Sequence, residues 1–197
     1  MLVGGTGLEA WLLLGPLSKR TWTSPVGLFV IVTVAASLCA VAAIPVLVRA
    51  NRTDCAEVGT LGAAMFVLSV LPLVHGLTAP GVWYGPNAAV TTSVLLASPV
   101  AVVTCLPLLA SRSRLGRLLA CRWRLWTTAC MTGAMVLATT LLIRPDVIAA
   151  PAPRSVVPIA IMIACFSAMV SLSWRQLRLY WISHHPAFLG ASLAVVS

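Results

Sequence analysis

Five long apolar segments, separated by short polar ones, dominate the pattern of this chain. They cover residues 25–48, 58–75, 88–110, 125–143 and 156–174, with almost no charge inside them. Because an α-helix rises about 1.5 Å per residue, roughly 20 residues are needed to cross the hydrocarbon core of a bilayer. The pattern therefore predicts an all-α fold: a multi-pass transmembrane helical bundle with five complete helices.

The two ends of the chain differ from this pattern. Residues 1–24 have no long apolar segment and no signal-peptide pattern, so they are predicted to form an amino-terminal arm. Residues 187–197 are apolar again, but they amount to about half of a membrane span. We therefore expect a membrane helical domain over 25–197 that ends in a partial sixth helix, as a truncated fragment would.

Local signals mark where two of the helices begin. Asp54, with Glu57 three residues later, has the spacing of a capping box before the second apolar segment. Asn87 precedes the third segment and is a favoured N-cap residue. Helices in lipid also pack through small residues, for which Ala97 with Ala101 and Ala129 with Gly133 are the candidates.

Composition supports the membrane assignment. The chain is 60% hydrophobic and only 9% charged, whereas soluble domains carry about 25% charged residues. The net charge of +9 does not indicate nucleic-acid binding, because the arginines lie between the apolar segments and not on one accessible face. The expected partners are therefore membrane lipids, with no nucleic acid.

The distribution of Lys and Arg predicts the orientation. Nine of them fall in one set of alternate connecting segments and four in the other. Basic residues are enriched in the cytoplasmic connections of membrane proteins. We therefore expect the nine-residue side in the cytoplasm and the amino terminus outside.

A histidine at the end of the second segment is the first candidate for chemistry. His75 is followed by Thr78 and a Pro80–Gly81 turn, and Trp83 and Tyr84 come next. A histidine at a helix end can bind a proton or a small ligand. The four side chains His75, Thr78, Trp83 and Tyr84 are therefore a candidate external ligand site. The alternative is a simple helix end followed by aromatic residues at the membrane interface.

A basic segment between the third and fourth apolar segments is the second candidate. Drawn as a helix, it separates arginines from leucines and tryptophans, a pattern typical of a stretch lying on an anionic leaflet. The alternative is ordinary anchoring by cytoplasmic arginines. The predicted lipid-facing residues are Arg112, Arg114, Arg117, Arg122 and Arg124.

Several chemistries are disfavoured by what the sequence lacks. His184 and His185 are predicted at the membrane face opposite His75, so the three histidines cannot share a haem. The single lysine, Lys19, precedes every apolar segment, which excludes a retinal Schiff base inside a helix. No cysteine–histidine metal pattern, paired carboxylates or catalytic triad is present. We therefore predict no metal, no cofactor and no enzymatic activity.

Two segments resemble a known family. The stretch His75-Gly-Leu-Thr-Ala-Pro-Gly-Val82 and the segment Trp174-Arg-Gln-Leu-Arg-Leu-Tyr180 are similar to stretches in the amino-terminal, multi-pass membrane sensor regions of bacterial signalling proteins. The resemblance implies that a cyclase or diguanylate cyclase type of output domain follows the helices, and that the helices lie in a bacterial inner (cell) membrane. It does not identify a ligand.

Together these patterns predict a non-catalytic membrane sensor or anchor region of a signalling protein. Arg175–Arg178 would relay motion inward to a cytoplasmic output domain, or the chain would act as a homodimer. The alternative is a small permease-like or membrane-complex subunit that handles a neutral solute, since no ionisable residue lies in the middle of an apolar segment.

Overall fold

The computed structural model describes residues 25–148 and 156–183. The predicted arm 1–24 and the partial sixth helix 187–197 lie outside these residues, as do His184 and His185. Within the two described ranges the regular structure is entirely helical, which confirms the all-α prediction. The helices are α1 (Pro25–Thr53), α2 (Ala56–Thr78), α3 (Ala89–Thr104), α4 (Leu106–Leu109), α5 (Arg114–Cys121), α6 (Trp123–Ile143) and α7 (Val156–Ser183).

Four of these helices are long and apolar enough to cross a membrane. They span Phe29–Thr53 in α1, Ala56–Thr78 in α2, Trp123–Ile143 in α6 and Val156–Leu179 in α7. Helices of this length and composition indicate a membrane protein. The sequence predicted five complete spans, and the difference lies in the third.

The third apolar segment is divided between two helices. α3 ends at Thr104 after 16 residues, and α4 begins at Leu106. Pro107 has no N–H and cannot continue the hydrogen-bond ladder of α3, so the helix breaks at Cys105. The carbonyl of Cys105 instead accepts from the amides of Leu108 and Leu109, at 2.9 and 3.0 Å. The predicted single helix over 88–110 is therefore wrong in this detail.

Two helices continue beyond their apolar segments. α1 extends to Thr53 although its apolar segment ends at 48, and Thr53 Oγ1 donates to the carbonyl of Arg49 at 2.9 Å. α7 extends to Ser183, so the residues that follow the fifth apolar segment at 174 are helical as far as 183. Arg, Gln and Leu are good helix formers, and no Gly or Pro interrupts this stretch. The apolar length thus marks the membrane span but not the helix end.

The cap signals have different outcomes. Asn87 Oδ1 accepts from the amide of Val90 at 3.3 Å in the first turn of α3, but the N-cap position is occupied by Ala88 and not by Asn87 as predicted. The predicted capping box at α2 is wrong: Cys55 occupies the N-cap position and provides no side-chain cap. Asp54 has a positive φ of 49°, and both acids of the predicted box have partners on other helices.

α2 is the central helix of the bundle. It contributes to three buried layers: Ala64 with Cys105, Leu108 and Leu172; Val67 and Leu71 with Ala97 and Ala134; and Val74 with Ala89, Ala138 and Leu141. Half of its membrane-length apolar stretch is buried (50%). The buried share of the corresponding stretch is 11% in α1, 22% in α6 and 18% in α7. α1, α6 and α7 therefore leave most of their apolar surface for lipid.

Small residues line the contacts with α2, partly where they were predicted. Ala97 and Ala101 of α3 are buried. On α6, however, Gly133 faces open space, because a Cβ added there would have nothing within 4 Å. The buried pair on that helix is Ala134 and Ala138. The prediction for α6 was therefore wrong by one residue, which rotates the packing face by about 100°.

Candidate functional site

Polar side chains gather at the two ends of the bundle. The end with residues 79–88, between α2 and α3, is called the loop end. The end with α5 is called the arginine end. The four predicted ligand residues lie at the loop end, and the five predicted lipid-facing arginines lie at the arginine end.

His75, in the last turn of α2, joins that helix to α3. Its Nδ1 lies 2.9 Å from the carbonyl oxygen of Val90. Since a carbonyl can only accept, Nδ1 must carry the hydrogen and donate. In the neutral ring Nε2 is then the acceptor, and it is the nitrogen that could take up a proton or contact a ligand. The side chain is half-buried.

Thr78 holds the loop in place from inside. Its side chain is fully buried, and Oγ1 donates to the carbonyl of Val74 at 2.8 Å. Its own carbonyl accepts from Asn87 Nδ2, also at 2.8 Å. Thr78 therefore closes the connection between α2 and α3 and does not present its hydroxyl to an external molecule.

The two aromatic residues have different surroundings. Tyr84 donates through its hydroxyl to the carbonyl of Leu142 at the end of α6, at 2.7 Å. Trp83 is 70% exposed, with its ring centroid 6.2 Å from that of Phe29 on α1. Trp83 thus fits the expected interfacial position, and Tyr84 links the loop to α6.

One more hydrogen bond, accepted by a carboxylate, lies at the loop end. Asp146, which follows α6, accepts from the amide of Ala88 through Oδ1 at 2.9 Å. The loop is therefore joined to α1, α3 and α6 at once. The structure brings the four predicted residues to one end of the bundle, but the polar groups of His75, Thr78 and Tyr84 bond to backbone carbonyls.

At the arginine end, Asp54 binds the start of α6. Its Oδ1 accepts from Trp123 Nε1 at 3.2 Å and pairs with Arg124 at 3.0 Å. The Arg124 guanidinium also lies over the Trp123 ring, 5.5 Å from the centroid. The ring of Trp123 covers Gly59 of α2, where a Cβ would lie 2.1 Å from ring carbon Cζ3. Glycine at 59 is what allows the indole to lie against α2.

Glu57 connects α2 to α7. Its Oε1 lies 2.9 Å from Arg175 Nη2, and each side chain is about one-third exposed, at 34% for Glu57 and 33% for Arg175. Arg175 Nη1 also donates to the carbonyl of Leu108 in α4. One guanidinium therefore joins three helices, because its five donors can serve two acceptors at once.

Gln176, next to Arg175, is the most unusual buried polar side chain. It is 1% exposed, and neither Oε1 nor Nε2 has a hydrogen-bond partner among the described residues. It lies one turn after Leu172, which packs against Cys105 and Leu108 at the break between α3 and α4. A buried amide without partners is costly and marks a position of interest.

The predicted basic segment is divided by the structure. Arg124 belongs to the Asp54 cluster. The other four, Arg112, Arg114, Arg117 and Arg122, are exposed, and within the described parts of the chain none has a carboxylate at salt-bridge distance. Arg114 and Arg117 lie on α5, with Arg112 and Arg122 flanking it.

Asp54, Glu57, Trp123 and Gln176 were not among the predicted site residues. One signal could have indicated the first two: the chain has four acidic residues against 13 basic ones. The three acids at described positions, Asp54, Glu57 and Asp146, each accept a hydrogen bond from a distant part of the chain. No sequence signal distinguishes Gln176 from a solvent-exposed glutamine.

No group of three or more His, Cys, Asp or Glu side chains able to hold a metal is found over residues 25–148 and 156–183. Comparison with protein-family models, with curated proteins and with solved structures gives no match. The resemblance to bacterial sensor regions therefore stays a prediction, and functional arguments come from the geometry alone.

Proposed function

We propose that this chain is a non-catalytic membrane sensor or anchor region of a signalling protein. In this proposal the loop end faces the exterior and the arginine end faces the cytoplasm of a bacterial cell, following the bias of Lys and Arg. The broken pair α3–α4 serves as a fifth span.

One observation carries the proposal: α2 connects a histidine at one end of the bundle to an ion pair at the other. His75 and Glu57 are 18 residues apart on this continuous helix, which corresponds to about 27 Å. Glu57 is bonded to Arg175, and α7 is the last helix of the described chain. Displacement of α2 at the loop end would therefore reach α7 through a single contact.

Protonation or ligand binding at His75 would act on the contact between α2 and α3. The Nδ1 bond to the Val90 carbonyl holds these helices in register at the loop end. A ligand on Nε2 changes the balance between two packings only as far as it binds one of them more tightly. Two charged groups of the described chain lie at this end of the bundle: Asp146, bonded to the Ala88 amide, and Arg144, at the end of α6.

The test measures motion at the arginine end while the loop end is perturbed. The full chain, with its native cysteines replaced, carries spin labels at Arg52→Cys and Arg178→Cys, both exposed positions. In liposomes, a step from pH 8 to pH 5 should change the distance between the labels by a few ångström, about the size of helix shifts in switching proteins. The variant His75→Ala should abolish the change.

A second variant tests the route. Glu57→Gln keeps His75 intact but removes the charge that binds Arg175, so the label distance should no longer respond to pH. If the label distance does not respond to pH in the labelled chain that keeps both His75 and Glu57, His75 is not the sensing group. A response that survives Glu57→Gln would contradict transmission through this ion pair.

A permease-like or membrane-complex subunit for a neutral solute is the second candidate. Its support is the buried amide of Gln176 beside the break at Cys105, since broken helices and intramembrane polar groups are typical of transport sites. Uptake of small neutral solutes by liposomes containing the chain, lost in Gln176→Leu, would favour this candidate over the sensor.

A further inference from the structure

The short helix α5 presents three different faces. Leu115 and Leu118 are 56% and 55% exposed. Gly116 is buried against the end of α4. Arg114 and Arg117 are exposed and, at about 100° per residue, lie on the side away from Gly116 and next to the leucines, with Arg114 about 40° from Leu118. Exposed leucines beside exposed arginines form the pattern of a helix at the boundary between hydrocarbon and headgroups.

This surface is held rigidly. Ser113 caps α5, with its Oγ accepting from Gly116 N at 3.0 Å and donating to the carbonyl of Ala110 at 2.8 Å. A Cβ on Gly116 would lie 2.0 Å from the Ala110 carbonyl oxygen, so only glycine allows this approach. After α5, Trp123 and Asp54 fix the start of α6. Binding of a partner here therefore costs little conformational entropy, because the segment is already ordered.

The positive charge at this end is not neutralised within the described chain. Asp54 and Glu57 are the acids near α5, and they pair with Arg124 and Arg175. Arg112, Arg114, Arg117 and Arg122 are left facing outward, although Arg117 Nη1 donates to the Arg112 carbonyl at 3.1 Å. Guanidinium groups match phosphate oxygens well, because their donors form a planar fork.

We infer that α5, with Arg112 and Arg122 beside it, is an interfacial helix that binds the phosphate headgroups of anionic phospholipids. A lipid satisfies both parts of the surface at once, since its headgroup meets the arginines and its chains meet Leu115 and Leu118. A free phosphate ion would leave the leucines in water. The position of α5 in the chain agrees with an interfacial helix, because α5 lies between the ends of two apolar helices, α4 and α6.

The test compares equal losses of charge at two places. The full chain, purified in uncharged detergent, is offered phosphatidylglycerol and phosphatidylcholine together, and bound lipids are counted by native mass spectrometry. Arg114→Gln with Arg117→Gln should lower the preference for phosphatidylglycerol on the order of tenfold, because each change removes charge-assisted hydrogen bonds to the lipid phosphate. The control, Arg49→Gln with Arg52→Gln, removes two exposed arginines of α1 and should change it less than twofold. Equal effects would show general charge attraction and overturn the site.

Two further arms test the geometry. Gly116→Ala keeps every charge but forces α5 away from Ala110, so the preference for phosphatidylglycerol should fall as well. An unchanged preference would overturn the claim that the rigid position of α5 matters for lipid binding. Inorganic phosphate in excess should not displace the bound lipid. Displacement by phosphate alone would overturn the lipid as the occupant. The unfolding temperature of each variant is measured alongside, and the glutamine variants, being on the surface, keep the test valid if Gly116→Ala does not fold.

Discussion

At the residue scale, the contact between Gly59 and Trp123 determines how closely α6 approaches α2. The indole is 7% exposed, and its Nε1 is bonded to Asp54. The ring therefore cannot turn away freely to accommodate a larger residue at position 59.

Gly59→Ala should therefore destabilise the protein. The added Cβ would lie 2.1 Å from the Trp123 ring, and overpacking of this kind costs about 1–3 kcal/mol. Gly133→Ala is the matched control, because nothing lies within 4 Å of that position and alanine is the better helix former. Thermal unfolding in detergent should show a lower Tm for the first variant only. A lowered Tm for both, or for neither, would contradict the packing described.

Gln176→Leu should have the opposite effect. The amide is buried without a partner among the described residues, and leaving such a group unsatisfied costs about 1–3 kcal/mol. Leucine has a similar volume and extends the apolar contacts of Leu172. We expect stability in detergent to rise by about 1 kcal/mol. A fall would mean that Gln176 has a polar partner in the membrane, which would favour the transport candidate.

Residue-scale roles were the least predictable from sequence. The helix-end position of His75 and the exposure of Trp83 follow from their neighbours along the chain. The partners of His75 and Tyr84 are backbone carbonyls of Val90 and Leu142, which every residue possesses and no pattern marks. Asp54 and Glu57 have the spacing of a capping box, yet tertiary partners bind both.

At the element scale, hydropathy predicted the four helices that are long and apolar enough to cross a membrane, but not the division of the third segment or where helices end. α1 and α7 extend past their apolar segments because the residues that follow include good helix formers such as Arg, Ala, Gln and Leu, and neither Gly nor Pro interrupts them. The third segment has no charged residue, yet Pro107 divides it. The sequence also does not show which face of α6 packs against α2, because α6 has small residues at both 133 and 134. Only the packing against α2 distinguishes Ala134.

The link between α2 and α7 provides a prediction at this scale. Glu57→Gln and Arg175→Gln, made singly and together, should show a coupling of about 1 kcal/mol in a double-mutant cycle, since both groups are partly exposed and screened. Arg175→Gln alone should cost more than Glu57→Gln alone, because it also removes the bond to the Leu108 carbonyl. Additive losses, with no coupling, would contradict a direct ion pair.

At the scale of the whole molecule, α2 is the most buried of the membrane-length helices, and α1, α3 and α6 pack against it. Its residues enter all three buried layers, and it carries polar contacts at both ends. The exposed apolar side chains on α1, α6 and α7 are typical of a helical bundle in a membrane. The account therefore depends on the loop end and the arginine end lying on opposite sides of a membrane.

Labelling of single cysteines tests this most directly. Cys121 at the end of α5 is naturally exposed, and Gly85→Cys at the loop end adds a thiol where nothing lies within 4 Å. With the other cysteines replaced, a membrane-impermeant maleimide should label position 85 in intact cells, and Cys121 only after the membrane is opened. Equal labelling of both positions in intact cells would contradict the membrane-spanning bundle.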